Sequence, residues 1–240
     1  MKTPCQRIES SIIKKFRKEI WRPFVRGMQE FRMVEEGDRV AVCISGGKDS
    51  MLLAKCMQEI RRHGNVDFQL EFLVMDPGYH PDNRRMIEVN ARLMEVPIHV
   101  VESDIFNTVA DIRENPCYLC ARMRRGFLYA NAQALGCNKI ALGHHFNDVI
   151  ETTLLGLFYG AQVQAMMPKL HSRNFPGMEL IRPLYCVHED AILAWKNYNH
   201  LQFLQCACRF TEARDASGDG IGESKRQEIK LLLRQLKKTN

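Results

Sequence analysis

At 240 residues, 45% of them hydrophobic and 26% charged, the chain has apolar material for one sizeable core and a small appendage, and too little for two full domains. No apolar run approaches the ~20 residues that span a bilayer, and Met1-Lys-Thr-Pro-Cys-Gln-Arg7 holds no apolar signal segment, so membrane classes are excluded and a cytoplasmic location is expected. The formal charge of +6 sits at the two ends: residues 1–32 carry nine Lys and Arg against three Glu, and residues 223–240 carry six against two. Such ends are either two solvated amphipathic helices or a surface for a polyanion such as RNA.

In chain order, Ile8, Ile12, Ile13, Phe16, Ile20, Phe24 and Met28 recur at three- and four-residue steps, which predicts an amphipathic helix over 6–33 bent or broken at Pro23. Arg39 to Ser45 is an apolar strand, and the first helix of the catalytic unit runs from about 49 to Arg62. Phe68 to Asp76 is a second strand and 82–95 a helix. Val96 to Glu102 is a third strand, followed by a short helix over 104–109. A long helix begins near Cys117 and closes at Gly136. A fourth strand starts at Lys139, and a helix covers Asp148 to Tyr159. Leu180 to Leu184 is a short strand, His188 to Asn199 a helix, Asp215 to Gly222 a linker, and Glu223 to Lys238 the last helix. This alternation predicts an α/β fold: an open parallel sheet with helices on both faces and N- and C-terminal helical extensions. Such sheets bind ligands where strand order reverses, outside the carboxyl ends of the strands.

The segment that organises the site is Ser45-Gly46-Gly47-Lys48-Asp49-Ser50, a tight turn between a strand and a helix. Gly46 and Gly47 permit positive φ, so backbone N–H groups can converge on one point. The helix start adds unpaired N–H groups and the positive end of its dipole. With Lys48 and two serine hydroxyls, this is a pyrophosphate cradle. It is not a Walker A loop, which needs four residues between its glycines.

Nine cysteines are too many for a chance scatter in a reducing compartment and too odd for a disulfide scaffold. Cys117-x-x-Cys120 places two thiols on the first turn of a helix, where the dipole lowers thiol pKa, and Cys206-x-Cys208 is a second close pair. A tetrahedral zinc, an iron–sulfur cluster and a redox or persulfide couple all fit this spacing. Gly143-His144-His145-Phe-Asn-Asp148 sets a carboxylate just beyond a strand end, fit for magnesium or proton transfer, although a capping role also accounts for it. Arg124 lies one helical turn after Cys120 and on its side of the helix.

Four segments together resemble one family: Ser45 to Ser50; Cys117 to Cys120 with Arg122 to Gly126; Lys139-Ile-Ala-Leu-Gly-His-His145 with Asp148; and Met167-Pro-Lys-Leu170 with Ile181-Arg-Pro-Leu184. The chain is similar to the tRNA 2-thiocytidine synthetase (TtcA) branch of PP-loop ATP pyrophosphatases, which are tRNA sulfurtransferases, over about Phe31 to Cys208. The resemblance implies a fold like the adenine nucleotide alpha hydrolases. It divides the chain into a basic helical extension (1–33), a PP-loop catalytic domain (34–210), and a linker with a basic helix (211–240). It implies ATP and Mg2+ as cofactors and a [4Fe-4S] cluster held by three cysteines, with an open iron that binds sulfide. ATP would adenylylate the C2 oxygen of a tRNA pyrimidine, cytidine foremost, and sulfur would displace AMP.

Residue by residue, the resemblance assigns ATP binding to Ser45, Gly46, Gly47, Lys48, Asp49, Ser50, Met75, Gly143 and His144. Catalytic roles fall on Asp148, Arg124, Cys117 and Cys120. Cluster ligation falls on Cys117, Cys120 and Cys206, with Cys208 as the alternative third ligand because the late pair is Cys-x-Cys where the family has Cys-x-x-Cys. Implied partners are tRNA and a sulfide donor, either a cysteine desulfurase or free sulfide; a homodimer is compatible and no membrane is involved. Two other readings stay open: a PP-loop enzyme adenylylating another RNA base or small acceptor, with structural Zn2+ at the cysteines, and a nucleotide-binding sensor without turnover.

Overall fold

The computed structural model describes residues 2–110, 116–163, 165–204 and 225–239. Its centre is a six-stranded sheet of β1 (Arg39–Ile44), β2 (Gln69–Asp76), β3 (Ile98–Glu102), β4 (Lys139–Ala141), β5 (Lys169–His171) and β6 (Glu179–Ile181) in the order β3-β2-β1-β4-β6-β5. All neighbours are parallel except β5 with β6. The chain builds outward from β1 through β2 and β3, then returns to the other side of β1 with β4. The strand order therefore reverses between β1 and β4, which is where a doubly wound sheet opens its crevice.

The two-residue period of β1 divides its side chains between two cores. Val40, Val42 and Ile44 join the larger one, and Ala41 and Cys43 join a smaller one with Tyr129, Ala132, Ile140 and Leu180. The larger core takes in Leu52 and Leu53 of α3 (Lys48–His63) and Ile87 of α4 (Pro81–Leu93). It also takes in Ile192 and Trp195 of α8 (Glu189–Tyr198) and the N-terminal helix. The short α5 (Ile105–Ala110) leads towards α6 (Pro116–Ala134), which covers the smaller core; α7 (Phe146–Gly160) follows β4, and α9 (Lys225–Thr239) lies against α7. No helix among the described residues is long and apolar enough to cross a membrane.

The N-terminal helix runs from Pro4 to Glu30 as α1 (Pro4–Ser10), two π-helical stretches (Ser11–Lys15 and Arg17–Trp21) and α2 (Arg22–Glu30). The reason lies in its apolar spacing. Ile8, Ile12, Phe16, Ile20, Phe24 and Met28 are buried, each four residues after the last. In an α-helix of about 3.6 residues per turn, each such step drifts by about 40°, so the sixth side chain would point away from the core. The π turns, with bonds such as Phe16 N–H to Ser11 O at 2.8 Å and Trp21 N–H to Phe16 O at 3.3 Å, add the missing fraction of a residue per turn. All six side chains thus reach the core. Pro23 falls just after the second π stretch, and the helix continues through it instead of breaking there.

Two sequence expectations change. The fourth strand is three residues long, its pairing with β6 closing on the Leu142 N–H bond to Ile181 O at 3.0 Å before the chain turns at Gly143. The antiparallel β5 was not expected, since three residues with exposed His171 and Leu170 carry no alternation to read.

Candidate active site

The loop Ser45 to Gly47 leaves the carboxyl end of β1 and turns at once into α3. Of its two glycines only Gly46 takes positive φ, at +82°; a Cβ there would lie 2.6 Å from Ile87 Cγ1, so both conformation and space demand glycine. Gly47, which could also take positive φ, is extended instead (φ −79°, ψ 163°). Its role is to begin the helix without a side chain: no side-chain hydrogen bond caps α3, which leaves its first N–H groups for an anion. The two serines brace the turn. Ser45 N–H and its hydroxyl both meet Ser50 Oγ at 3.2 Å, and Ser50 Oγ donates to Gly47 O at 3.0 Å.

Across the switch point, Gly143 follows β4 and packs on this helix start. A Cβ at Gly143 would lie 3.1 Å from Asp49 C and Ser50 N, both backbone atoms, so a side chain would enter only if the start of α3 gave by a few tenths of an ångström. The two loops bound a cavity of about 400 Å³ lined by Cys43, Ser45, Asp49, Ser50, Met75, Arg124, Arg125, Gly143, His144 and Asp148, among others. Of the residues expected to bind nucleotide or act on it, Ser45, Asp49, Ser50, Met75, Gly143, His144, Asp148 and Arg124 line this one space. Gly46, Gly47 and Lys48 do not. Lys48 instead turns to carboxylates, 3.0 Å from Asp49 Oδ2 and 3.2 Å from Glu189 Oε1.

Two polar atoms lining this cavity are buried without a hydrogen-bond partner among the described residues, Asp49 Oδ1 and His144 Nδ1. Burial, reinforced by the nearby positive charge of Arg182, pushes the His144 pKa down to about 4, so the ring is neutral at physiological pH. A neutral imidazole with an open nitrogen suits a hydrogen bond to a nucleotide better than it suits proton transfer. His145 is structural: its buried ring caps α7, with Asp148 N–H donating to His145 Nδ1 at 3.3 Å and His145 N–H to Asp148 Oδ2 at 3.0 Å. Asp148 is thus the returning arm of a capping box rather than the cap itself, and its Oδ1 faces Arg226 of α9 at 3.6 Å.

Sequence reasoning did not foresee the groups from later elements. Arg226 and Lys230 of α9 face the buried Glu151, each at 3.7 Å. Arg182, after β6, is largely buried; this desolvation and the neighbouring Arg125 hold its pKa below the usual arginine value, and its Nε lacks a partner. The quoted Ile-Arg-Pro-Leu run was the available signal for Arg182, while Glu189 and Arg226 had none. Asp76 closes a turn, accepting from Gly78 and Tyr79 N–H at 2.9 and 2.7 Å and from Arg84 at 2.7 Å.

Of the cluster cysteines, Cys120 is buried on α6 near Tyr79 and Arg124; its neighbours Ala121 and Arg124 line the cavity, and Cys120 itself does not. The Cys117 side chain, Cys206 and Cys208 lie outside the described residues. Of the other cysteines, Cys43 lines the cavity, and its burial pushes the thiol up to about 12, which keeps it protonated and excludes it as a nucleophile at neutral pH. A larger cavity of about 670 Å³, lined by Trp21, Val25, Met28 and Phe68, sits near the amino ends of β1 and β2, without convergent catalytic groups.

A sequence profile described as a PP-loop domain matches residues 16–208. The chain is 34% identical over 219 residues to the tRNA-cytidine(32) 2-sulfurtransferase of Geotalea uraniireducens, covering 90% of this chain and 83% of that protein. It is 34% identical over 218 residues to the enzyme of that name from Geobacter sulfurreducens, covering 90% and 81%. The chain belongs to the PP-loop tRNA-cytidine 2-sulfurtransferase family. Among solved structures, the U34-tRNA thiolase NcsA from Methanococcus maripaludis with its [4Fe-4S] cluster superposes with a TM-score of 0.62 at 18% identity, covering 89% of this chain and 78% of that one. At that identity the likeness shows the shared fold alone. In this sulfurtransferase chain, the crevice at the β1/β4 switch point carries the family's Ser-Gly-Gly loop.

Proposed function

We propose that this enzyme is an ATP-dependent tRNA thiolase acting on a cytidine, with position 32 indicated by the names of its relatives. The observation that carries the reading is the convergence of Ser45, Ser50, Gly143 and the unpartnered His144 Nδ1 on one cavity in a chain of this family. The α3 N-terminus and the Ser45–Ser50 turn bind the ATP phosphates, and His144 and Met75 contact the nucleoside. Arg124 faces the phosphate at which charge develops, and Asp148 orients Mg2+ or the attacking group.

The C2 oxygen of the base attacks the ATP α-phosphorus, releasing pyrophosphate. Hydrosulfide then adds at C2, AMP departs with the former C2 oxygen, and one proton is lost, so no external reductant is required. Adenylylation is needed because a carbonyl oxygen is a poor leaving group. A [4Fe-4S] cluster on Cys117, Cys120 and Cys206 or Cys208 would supply an iron site that carries the sulfide. Cys120 is buried one residue before Ala121, which lines the cavity, and that proximity supports the placement. Zinc at these cysteines is the competing assignment, and a cysteine desulfurase or free sulfide supplies the sulfur.

The test is protein purified without oxygen, with iron, sulfide and zinc counted, then incubated with tRNA, ATP, Mg2+ and sulfide. Iron and sulfide near four each, with 2-thiocytidine in the digest, are expected. Stoichiometric zinc with sulfur-free adenylylated RNA overturns the reading. Cys117→Ala is expected to abolish the cluster and leave ATP binding intact. Gly143→Ala, which drives a methyl into the Asp49–Ser50 backbone, is expected to weaken ATP binding by roughly tenfold or more.

A further inference from the structure

The two basic ends of the chain differ in what their cations face. On the N-terminal helix, Lys14, Lys18, Arg22 and Arg26 are exposed, and none has an ion pair among the described residues. Their spacing matches that of the buried series, four residues each. The π turns that keep Ile12, Phe16, Ile20 and Phe24 in line must therefore keep these four cations in line as well. Without them an α-helix would spread the four charges through about 120° of arc. With them the charges form a straight comb, one cation per turn, at a step of about 6 Å, close to the separation of neighbouring phosphates on a nucleic-acid strand.

The comb begins at a groove of about 540 Å³ lined by Lys2, Arg7, Lys14, Lys15, Tyr198 and His200. Lys15 Nζ rests 4.7 Å from the Tyr198 ring centroid, which fixes that wall. Leu201, on the same groove, is three residues from Leu204, whose N–H donates to Gly46 O at 3.2 Å. The groove therefore lies within about 10 Å of chain from the phosphate loop. At the far end of the comb, Gly27 packs beside Cys186, where a Cβ would lie 3.5 Å from its Sγ, and the next residue, Val187, accepts from Phe146 N–H at the start of α7. Both ends of the helix are thus tied to segments that enter the cavity.

We infer that the N-terminal helix is the docking ridge for the phosphodiester backbone of the RNA substrate, with Lys14, Lys18, Arg22 and Arg26 each facing a phosphate while the target base enters the cavity. This rests on the RNA-modifying reading above and adds where the RNA body lies. Contacts of this kind are sequence-independent and position the substrate rather than select it.

The experiment compares the wild-type chain with Lys14→Gln/Lys18→Gln/Arg22→Gln/Arg26→Gln, and with Arg234→Gln/Lys237→Gln on α9 as the control at the other basic end. Binding of a tRNA transcript is measured against salt, with ATP binding and melting temperature as fold controls. The ridge variant is expected to bind tRNA roughly tenfold more weakly or worse near 100 mM salt. Its slope of log affinity on log salt should fall by about 3, at 0.7–0.9 for each of four phosphates. The α9 variant is expected to bind as the wild type does. Unchanged affinity and slope in a folded ridge variant overturn the ridge. So does ridge-dependent binding to phosphatidylglycerol vesicles without ridge-dependent binding to tRNA. Thionucleoside formation at saturating tRNA is scored separately. Ridge-dependent binding without any thiolation by the wild type would sink the thiolase reading and leave the ridge standing, and thiolation with no ridge effect would do the reverse.

Discussion

Two helices at opposite ends of this chain carry a similar excess of Lys and Arg, and they place it differently. The N-terminal helix buries six apolar side chains in the main core and anchors its far side through one enclosed cation. Lys55 of α3, wholly buried, reaches Glu9 at 2.7 Å, Gln58 at 2.7 Å and Met94 O at 2.8 Å. Of the N-terminal helix's own cations, Lys15 rests on the Tyr198 ring, and Lys14, Lys18, Arg22 and Arg26 are left facing solvent. Among the described side chains of α9 only Ile229 is buried, and the cations do the holding: Arg226 and Lys230 over Glu151, Lys237 on Asp190 at 2.6 Å, and Lys225 stacked 4.5 Å from the Tyr159 ring. A cavity of about 780 Å³ separates α9 from α8. Net charge by segment is therefore a poor guide to a polyanion surface. What distinguishes the two ends is whether hydrophobic burial has already fixed the helix, leaving the charges with no structural task.

The largest test of that contrast is Lys55→Met. Removing one partner of an enclosed pair leaves Glu9 with only the half-exposed Arg62 at 2.8 Å, and urea unfolding is expected to show a loss of about 3 kcal/mol. Next is Arg226→Met/Lys230→Met on α9, which strands the buried Glu151 carboxylate. A loss of about 1–2 kcal/mol is expected, limited because Glu151 can protonate. If the α9 double variant proves the more damaging of the two, the comparison fails.

Much of this was legible in the sequence because the relevant residues fall in single runs. Ser45 to Ser50 could be placed at the switch point since the strand, the glycines and the helix start are contiguous. Gly143 and Asp148 followed by the same logic at β4. The π turns were legible only in hindsight: three- and four-residue steps suggest a helix, but a strict series of fours requires an underwound one. What stayed hidden depends on contacts between distant segments. Nothing local predicts that Lys48 would be taken by Glu189, 141 residues away, or that Arg226 would reach Asp148. The capping role of His145 was missed because histidine is an uncommon N-cap; only the reciprocal hydrogen bonds to Asp148 reveal it.

Acid should separate the two helices in a defined order. Burial would raise the Glu9 carboxyl, but hydrogen bonds from Lys55 and Arg62 outweigh it and hold Glu9 below the usual 4.5. Its contribution is therefore complete above that value and lost only as pH falls through the lower folded pKa. Glu151 is displaced the other way: burial raises it above 4.5, against the opposing pull of Lys230 and Arg226. Its charged form costs stability at neutral pH, and protonation removes both that cost and the charge that α9 faces. Between neutrality and about pH 4.5, hydrogen exchange is therefore expected to show amides of 225–237 keeping or gaining protection, and only below that value should those of 12–28 begin to lose theirs as Glu9 protonates, after correction for intrinsic rates. Loss of protection at 225–237 over that range would mean that the Glu151 charge holds α9, through Arg226 and Lys230, by more than its burial costs.

The smallest effect expected is at the tip of α9. Lys237 and Asp190 form the shortest ion pair that helix makes, yet their side chains are 73% and 71% exposed. The Lys237 hydrogen bond is the main cause of the lowered Asp190 carboxyl. At that exposure, solvent screening discounts most of the shift, and such pairs contribute about 0–1 kcal/mol. Asp190 also stands in the first turn of α8, where the helix dipole favours a carboxylate with or without a partner. Lys237→Ala should therefore change stability by less than about 0.5 kcal/mol. Asp190→Ala should cost more, because it removes the dipole interaction as well as the pair. Equal losses from the two, abolished together by high salt, would show that the pair itself matters and that short distance at an exposed site had been undervalued in comparing the two ends.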